Sequence, residues 1–158
     1  MNNKKISIIA FSGDFDKTFA ILTLASGAAA INYEVNIFFT FWGLNIIKKK
    51  KDHSFLGSSA IEKIFNFLLG GINKLPLSRL NFFGISPIIF RNLLRKKNIA
   101  SVEELLNSSA LLGANFYVCE TSFIALGLKR NDFIPEIKEI VDVGQFYKFA
   151  EQGQILFI

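Results

Sequence analysis

A single α/β domain, with a mainly parallel sheet covered by helices on both faces, is the fold class this sequence predicts. Short, apolar, β-rich runs alternate with amphipathic or alanine-rich stretches along the whole chain. A strand, a helix and a second strand follow one another within residues 5–42, which makes a right-handed parallel βαβ unit. The chain of 158 residues is 51% hydrophobic with 18 phenylalanines, long enough for one core and too apolar for disorder.

The elements follow in order. Lys5–Phe11 is nearly all apolar, as a central parallel strand should be. Ser12-Gly13-Asp14 is a turn, and Asp16-Lys17-Thr18 opens a helix to about Asn32, with Ala25, Gly27, Ala28, Ala29 and Ala30 offering a smooth face for close packing. Val35–Trp42 is a second buried strand, ended by Gly43, and Leu44–Lys51 runs on as a short helix or turn. Ser58–Leu69 has helical period with Ile61, Ile64, Phe65 and Leu68 on one face, and Gly70-Gly71 ends it. Ile72–Pro87 reads as a long loop and Ile88–Lys97 as a helix. Ser101-Val102-Glu103-Glu104 resembles a capping box and starts the next helix, which ends at Leu112-Gly113. Asn115–Val118 is a third strand closed by Cys119, and Thr121–Leu128 a short helix. A turn at Asn131–Pro135, an extended piece at Ile140–Val143, a turn at Gly144-Gln145, a helix at Phe146–Gln152 and a strand at Ile155–Ile158 complete the chain. No repeat, low-complexity segment or linker interrupts it.

Composition excludes several function classes. One cysteine rules out an intrachain disulfide and any Cys-rich zinc or iron–sulfur site, and His53 as the only histidine leaves little for a hydrolase triad or a His-rich metal site. We expect no metal and no cofactor. The pattern Gly-x-Gly-x-x-Gly is absent, so no dinucleotide site is indicated. Met1–Lys5 leads into only a short apolar run without a small-residue cleavage pattern, so a cytoplasmic location is the expectation. Between Thr18 and Ile47 the only charge is Glu34, but the charge-free part, Thr18–Tyr33, falls short of the roughly 20 apolar residues a span needs. No membrane span is expected. The net charge of +5 gathers largely in Lys48–Lys51 and Arg95-Lys96-Lys97. Neither run is interleaved with aromatics as in an RNA-binding sheet, so nucleic acid is not an expected partner. Lys48–Lys51 is expected on the surface, either as a solvated face or as a dock for an acidic partner or an anionic surface.

In open α/β sheets ligands bind beyond the carboxyl ends of the strands. Ser12–Lys17, Phe41–Leu44 and Cys119–Ser122 are expected to meet there. A cysteine at a helix start gains from free N–H groups that favour thiolate, the form that exchanges disulfides or carries a persulfide. Glu120 beside it opposes a second negative charge. Thr121 and Ser122 supply the helix start, Gly13 and Asp14 the first loop, and Trp42 a pocket wall or core. Against this, a free cysteine is most often inert packing. With no second cysteine to resolve an intermediate, any sulfur on Cys119 must leave to another molecule.

Ile6–Lys17 with the alanine-rich helix after it, Phe39–Leu44, Leu75–Gly84, Lys96–Leu105 and Gly113–Gly127 together resemble the DsrE/DsrF-like proteins, and within them the DsrE2-like branch often labelled peroxiredoxin-like. The resemblance implies a flavodoxin-like three-layer α/β/α sandwich in one domain, residues 1–158, that assembles into a homo-oligomer. It implies sulfur relay, with Cys119 holding a persulfide or thiosulfonate passed between rhodanese-like sulfurtransferases and TusA-like carriers. Glu120 stands where a longer-chain or amide residue is expected after the cysteine. Two functions stay open: a sulfur carrier or sulfurtransferase working through Cys119, and a non-catalytic binding or scaffold protein in which Cys119 packs. The large apolar residues of Phe82–Phe90 are expected to form part of the oligomer contact, or else to fold back onto the core.

Overall fold

The computed structural model describes residues 4–79 and 85–158. The elements are β1 (Lys5–Ala10), α1 (Phe15–Ala30), β2 (Glu34–Phe39), a 3-10 stretch (Phe41–Ile47), α2 (Ala60–Leu69), a 3-10 turn (Ile72–Lys74), α3 (Ile85–Lys96), α4 (Val102–Leu111), β3 (Asn115–Cys119), α5 (Glu120–Ala125), a 3-10 turn (Arg130–Asp132), β4 (Ile137–Val141), α6 (Val143–Ala150) and β5 (Gln154–Phe157). The five strands form one sheet in the order β4-β3-β2-β1-β5, and every pairing is parallel. The α/β reading therefore holds.

Strand alternation divides the core in two. Ile6, Ile8, Ala10, Val35, Ile37, Phe39, Phe116 and Val118 belong to the larger cluster, with Ile21, Leu22 and Ala25 of α1 and Val102 and Leu106 of α4. Phe38, Tyr117, Cys119 and Val141 belong to a smaller one, closed by Phe146 and Ala150 of α6. The rings of Phe38 and Phe146 stack with centroids 4.6 Å apart, as do those of Tyr117 and Phe149. The alanine face of α1 packs closely, as read from the sequence: Ala25 and Ala29 are buried and the Ser109 hydroxyl of α4 donates to the Leu22 carbonyl at 3.4 Å. The capping box read at Ser101 and Glu104 is present on α4, and Ser59 with Glu62 forms another on α2.

Three expectations need correction. The second strand stops at Phe39, not Trp42, because Phe41 adopts φ +45° and Gly43 N–H donates to the carbonyls of Phe11 and Thr40, which pulls the chain into the 3-10 stretch. The stretch read as a loop contains a 3-10 turn and the first residues of α3, which begins at Ile85 with Pro87 in its first turn, where a missing N–H costs nothing. Phe82 and Phe83 lie outside the described residues. The helix expected at Phe146–Gln152 starts earlier, at Val143, because the Asp142 carboxylate accepts from Gln145 N–H at 2.8 Å and caps it.

The basic run is also not wholly on the surface. Lys48 is 1% exposed, while Lys49, Lys50 and Lys51 are exposed. Its backbone bridges Phe133, and Ile47 O accepts from Ile134 N–H, so the segment is fastened to the loop before β4. Lys48 Nζ donates to Asn66 Oδ1 at 2.9 Å, and Asn66 Nδ2 donates in turn to the carbonyls of Leu56, Glu62 and Leu126. Burial pushes Lys48 down to about 8 from the ordinary 10.5, against the opposing pull of Asp132. The sign of the linkage follows. Between pH 8 and 10.5 the unfolded chain binds more protons at this site than the folded one, so stability rises with pH across that window. Below pH 8 both states are protonated and the cost of the buried charge is fully present, about 3 kcal/mol. Lys48→Met is expected to remove this rise, measured as the difference in urea unfolding between wild type and variant from pH 7.5 to about 10. Parallel pH curves would show that the ammonium is solvated.

Candidate functional site

The carboxyl ends of the strands carry two distinct features. The first is a cavity of about 750 Å³ beside the β1–α1 loop. Gly13, Asp14 and Trp42 line it, with Lys17, Asn45, His53 and Arg91. The loop and the 3-10 stretch are locked together here. A Cβ on Gly13 would meet the Trp42 carbonyl at 2.5 Å, and one on Gly43 would meet the Ala10 carbonyl at 1.9 Å. Asp14 is held by a 2.9 Å ion pair with Lys17 and accepts from the Ser12 hydroxyl at 2.6 Å. His53 is exposed, and its ring lies against Phe67.

The second feature is Cys119. It is the last residue of β3 and the residue that precedes α5, in extended backbone at φ −67°, ψ 117°. Its neighbour across the sheet is Val141 of β4. After Cys119 the chain turns to the face of α1 and α4, where Phe123, Leu126 and Leu128 pack on the larger cluster. After Val141 it turns to the opposite face as α6. The thiol therefore sits where successive connections part to opposite faces, which is where open α/β sheets place their ligands.

Ser122 ties this point to the next strand. Its hydroxyl is buried and pairs with Thr40 Oγ1 at 2.9 Å. The three segments expected to meet thus do so in pairs: Gly13 and Asp14 meet Trp42, and Ser122 meets Thr40, the residue before the 3-10 stretch. They do not form one pocket. Cys119, Glu120, Thr121 and Ser122 are not among the residues lining the Gly13 cavity. Glu120 and Thr121 are exposed, whereas Cys119 is 4% exposed against Phe38, Tyr117 and Val141.

Two groups near the cavity escaped the sequence. Asn45 is buried, with an Oδ1 that has no hydrogen-bond partner among the described residues. Arg91 lies 5.0 Å over the Phe15 ring and donates to the carbonyls of Asn73 and Ile72. Neither carries a sequence signal, because an isolated Asn after a glycine turn and an Arg within an apolar helix both read as surface residues. Among the described residues no group of three or more His, Cys, Asp or Glu side chains could hold a metal ion.

The model of the DsrE/DsrF/DrsH-like family matches residues 2–158. The chain belongs to that family. Its relatives include the uncharacterized protein YrkE of Bacillus subtilis (strain 168), 33% identical over 157 residues, 98% of this chain and 97% of that one. They also include the sulfur carrier protein DsrE2 of Allochromatium vinosum, 29% identical over 161 residues, 98% of each chain. Two solved structures share the fold. MTH1491 from Methanobacterium thermoautotrophicum, a protein of unknown function, superposes with a TM-score of 0.55 at 10% identity over 99% of this chain and 100% of that one. The ychN protein from E. coli gives 0.52 at 12% identity over 98% and 99%. The DsrE-like architecture read from the sequence is thus the architecture found. No helix among the described residues is long and apolar enough to cross a membrane.

Proposed function

We propose that this DsrE-like protein is a sulfur-relay component that carries sulfane sulfur on Cys119. The observation that supports this most is the place of Cys119, the chain's only thiol, at the point where α5 and α6 leave the sheet on opposite faces, in a chain similar over its length to a sulfur carrier. The Cys119 thiolate attacks the outer sulfur of a donor such as thiosulfate or a polysulfide. The donor's S–S bond breaks, sulfite or the shortened polysulfide leaves with the electron pair, and Cys119 is left as a persulfide. An acceptor thiolate then attacks the outer sulfur of that persulfide and releases the Cys119 thiolate. Each step exchanges one S–S bond for another, so no outside oxidant or reductant is consumed.

The first backbone N–H groups of α5 have no partner in an earlier turn of that helix. Gly13, Asp14 and Trp42 belong to the separate cavity beside the β1–α1 loop, and in this reading they bind the donor or the acceptor's tail, while Glu120 and Thr121 are exposed beside the thiol in sequence. With no resolving cysteine the acceptor is another protein, of TusA-like or rhodanese-like type, and assembly of the carrier with its own copies is part of the same proposal. The low exposure of Cys119 favours a second reading, a binding or scaffold protein with a structural thiol.

One experiment separates the two. Native protein is incubated with thiosulfate, polysulfide or tetrathionate and weighed intact, and its thiol is alkylated in parallel. The relay reading expects one added sulfur species per chain, removed by dithiothreitol, and alkylation in buffer. No added mass, with alkylation only in denaturant, establishes the structural thiol.

A further inference from the structure

We propose that the cavity beside the β1–α1 loop binds a free short acidic peptide or amino-acid conjugate, a small molecule with two carboxylates and an amine. At about 750 Å³ the cavity lies within the roughly 300–1,000 Å³ of small-molecule sites. The relay reading gives this cavity to a donor or an acceptor's tail. The ligand's role rests on that reading, but its binding does not, since Cys119 is not among the lining residues. Apart from His53, the charged residues of the lining are Lys17, Lys74 and Arg91 against Asp14 alone. Arg91 is the strongest of these anchors. Its guanidinium lies over the Phe15 ring, donates to the neutral carbonyls of Asn73 and Ile72, and forms no ion pair among the described residues. Burial pulls it below its ordinary value, with no carboxylate opposing the shift. The rest of its planar fork suits a carboxylate held by two parallel bonds. Lys74 meets Asp52 only at 3.9 Å, through partly solvated side chains, and can draw a second carboxylate.

At the loop the unused groups are acceptors. Asn45 lines the cavity at 2% exposure, and its Oδ1 has no partner among the described residues. Its amide abuts the loop, since a Cβ on Gly13 would stand 3.5 Å from Asn45 Nδ2. Asp14 takes both the Ser12 hydroxyl and the Lys17 ammonium on Oδ2, so its Oδ1 accepts no hydrogen bond among the described residues. A buried acceptor without a donor is costly, and an amine supplies donors to Asn45 while matching the charge of Asp14. Phosphate is the common guest at this place in an α/β sheet, held by backbone N–H groups where the first helix begins. Here that cradle is closed. Phe15 N–H donates to Pro76 O at 2.7 Å, and Asp14 N–H is turned to Ser12 Oγ at 3.4 Å. The Asp14 carboxylate at the same loop repels a phosphate and attracts an ammonium. Side-chain cations and free acceptors therefore select carboxylates with an amine.

Trp42, the only tryptophan of the chain, lines the cavity and reports its occupancy by fluorescence. The probe is S-methylglutathione, which carries both carboxylates and the amine, with a thioether that cannot exchange sulfur. Saturable binding to the full chain is expected, and acetylation of the probe's amine or the substitution Arg91→Gln should each weaken it about tenfold. Lys74→Gln, a change at a partly solvated side chain, should weaken it about threefold with circular dichroism unchanged. Wild-type protein that gives no saturable response, or that binds the acetylated probe equally well, overturns the proposal without reference to any variant. Tighter binding of AMP than of the probe assigns the cavity to phosphate and overturns it too. Intact mass after polysulfide, measured beside the titration, keeps the two readings apart. Protein that binds the probe and gains no sulfur retains the site and loses the relay, and protein that gains sulfur and binds no probe does the reverse.

Discussion

Cys119→Ser is expected to abolish sulfur loading completely while the protein stays folded. In the proposed relay the thiolate is the attacking species, and a serine hydroxyl at neutral pH is neither ionised nor able to hold a sulfane sulfur. The substitution places a hydroxyl against Phe38, Tyr117 and Val141, and burying it there costs about 1–3 kcal/mol. That is a fraction of the 5–15 kcal/mol typical of a domain, so the fold survives. Cys119→Ala removes the nucleophile without adding a polar atom and should give the same null in loading, which separates chemistry from folding. The readout is intact mass after incubation with polysulfide, beside the thermal midpoint of each variant. Sulfur mass on either variant would show that Cys119 is not the carrier.

Gly43→Ala should have the largest effect on stability of any single methyl added to the chain near the site. The new Cβ would stand 1.9 Å from the Ala10 carbonyl oxygen and 2.8 Å from its carbon, and those atoms belong to the end of a central strand. Ala10 O also receives Thr40 N–H, and Gly43 N–H donates to Phe11 O, so no flexible side chain can yield to make room. Either the 3-10 stretch or β1 must move, and the cost falls at or above the top of the overpacking range, about 3 kcal/mol. Gly27→Ala is the matching control. Gly27 lies in the middle of α1 with nothing within 4 Å of a new Cβ, and alanine there should add about 0.5–1 kcal/mol. Urea unfolding of both variants would show shifts of opposite sign. A Gly43→Ala midpoint equal to that of wild type would mean the strand–turn contact is looser than its geometry.

What the sequence revealed and what it hid have physical causes. β1, β2 and β3 were legible because buried parallel strands are unbroken apolar runs, and α4 because Ser101 and Glu104 are spaced for reciprocal capping. β4 was found only in part: its outward residues Lys138 and Glu139 break the apolar run, so an edge strand read as a short extended piece. Cys119 was placed correctly at the strand–helix junction, yet its burial beneath α6 depends on Phe146 and Ala150, which are distant in sequence. Lys48 was misplaced because four consecutive lysines look alike, and only the contact with Asn66 on another helix distinguishes the first of them. The separation of Gly13, Asp14 and Trp42 from Cys119 was likewise invisible, since which face each connection takes is a property of the assembled sheet.

The unequal cover on the two faces of the sheet sets a clock for the thiol. One face is packed by α1 and α4, while the face that holds Cys119 is packed, among the described residues, by the eight residues of α6. Helices that short are marginal alone, and elements with few buried neighbours open at free energies well below global unfolding. Amide hydrogen exchange should therefore be fast in α6 and slow in α1, with the sheet between them intact during each opening. Sulfur loading would inherit that rhythm. In the proposed relay, the rate at high donor concentration should level off at the rate at which α6 lifts, with the fold rather than the donor setting the limit.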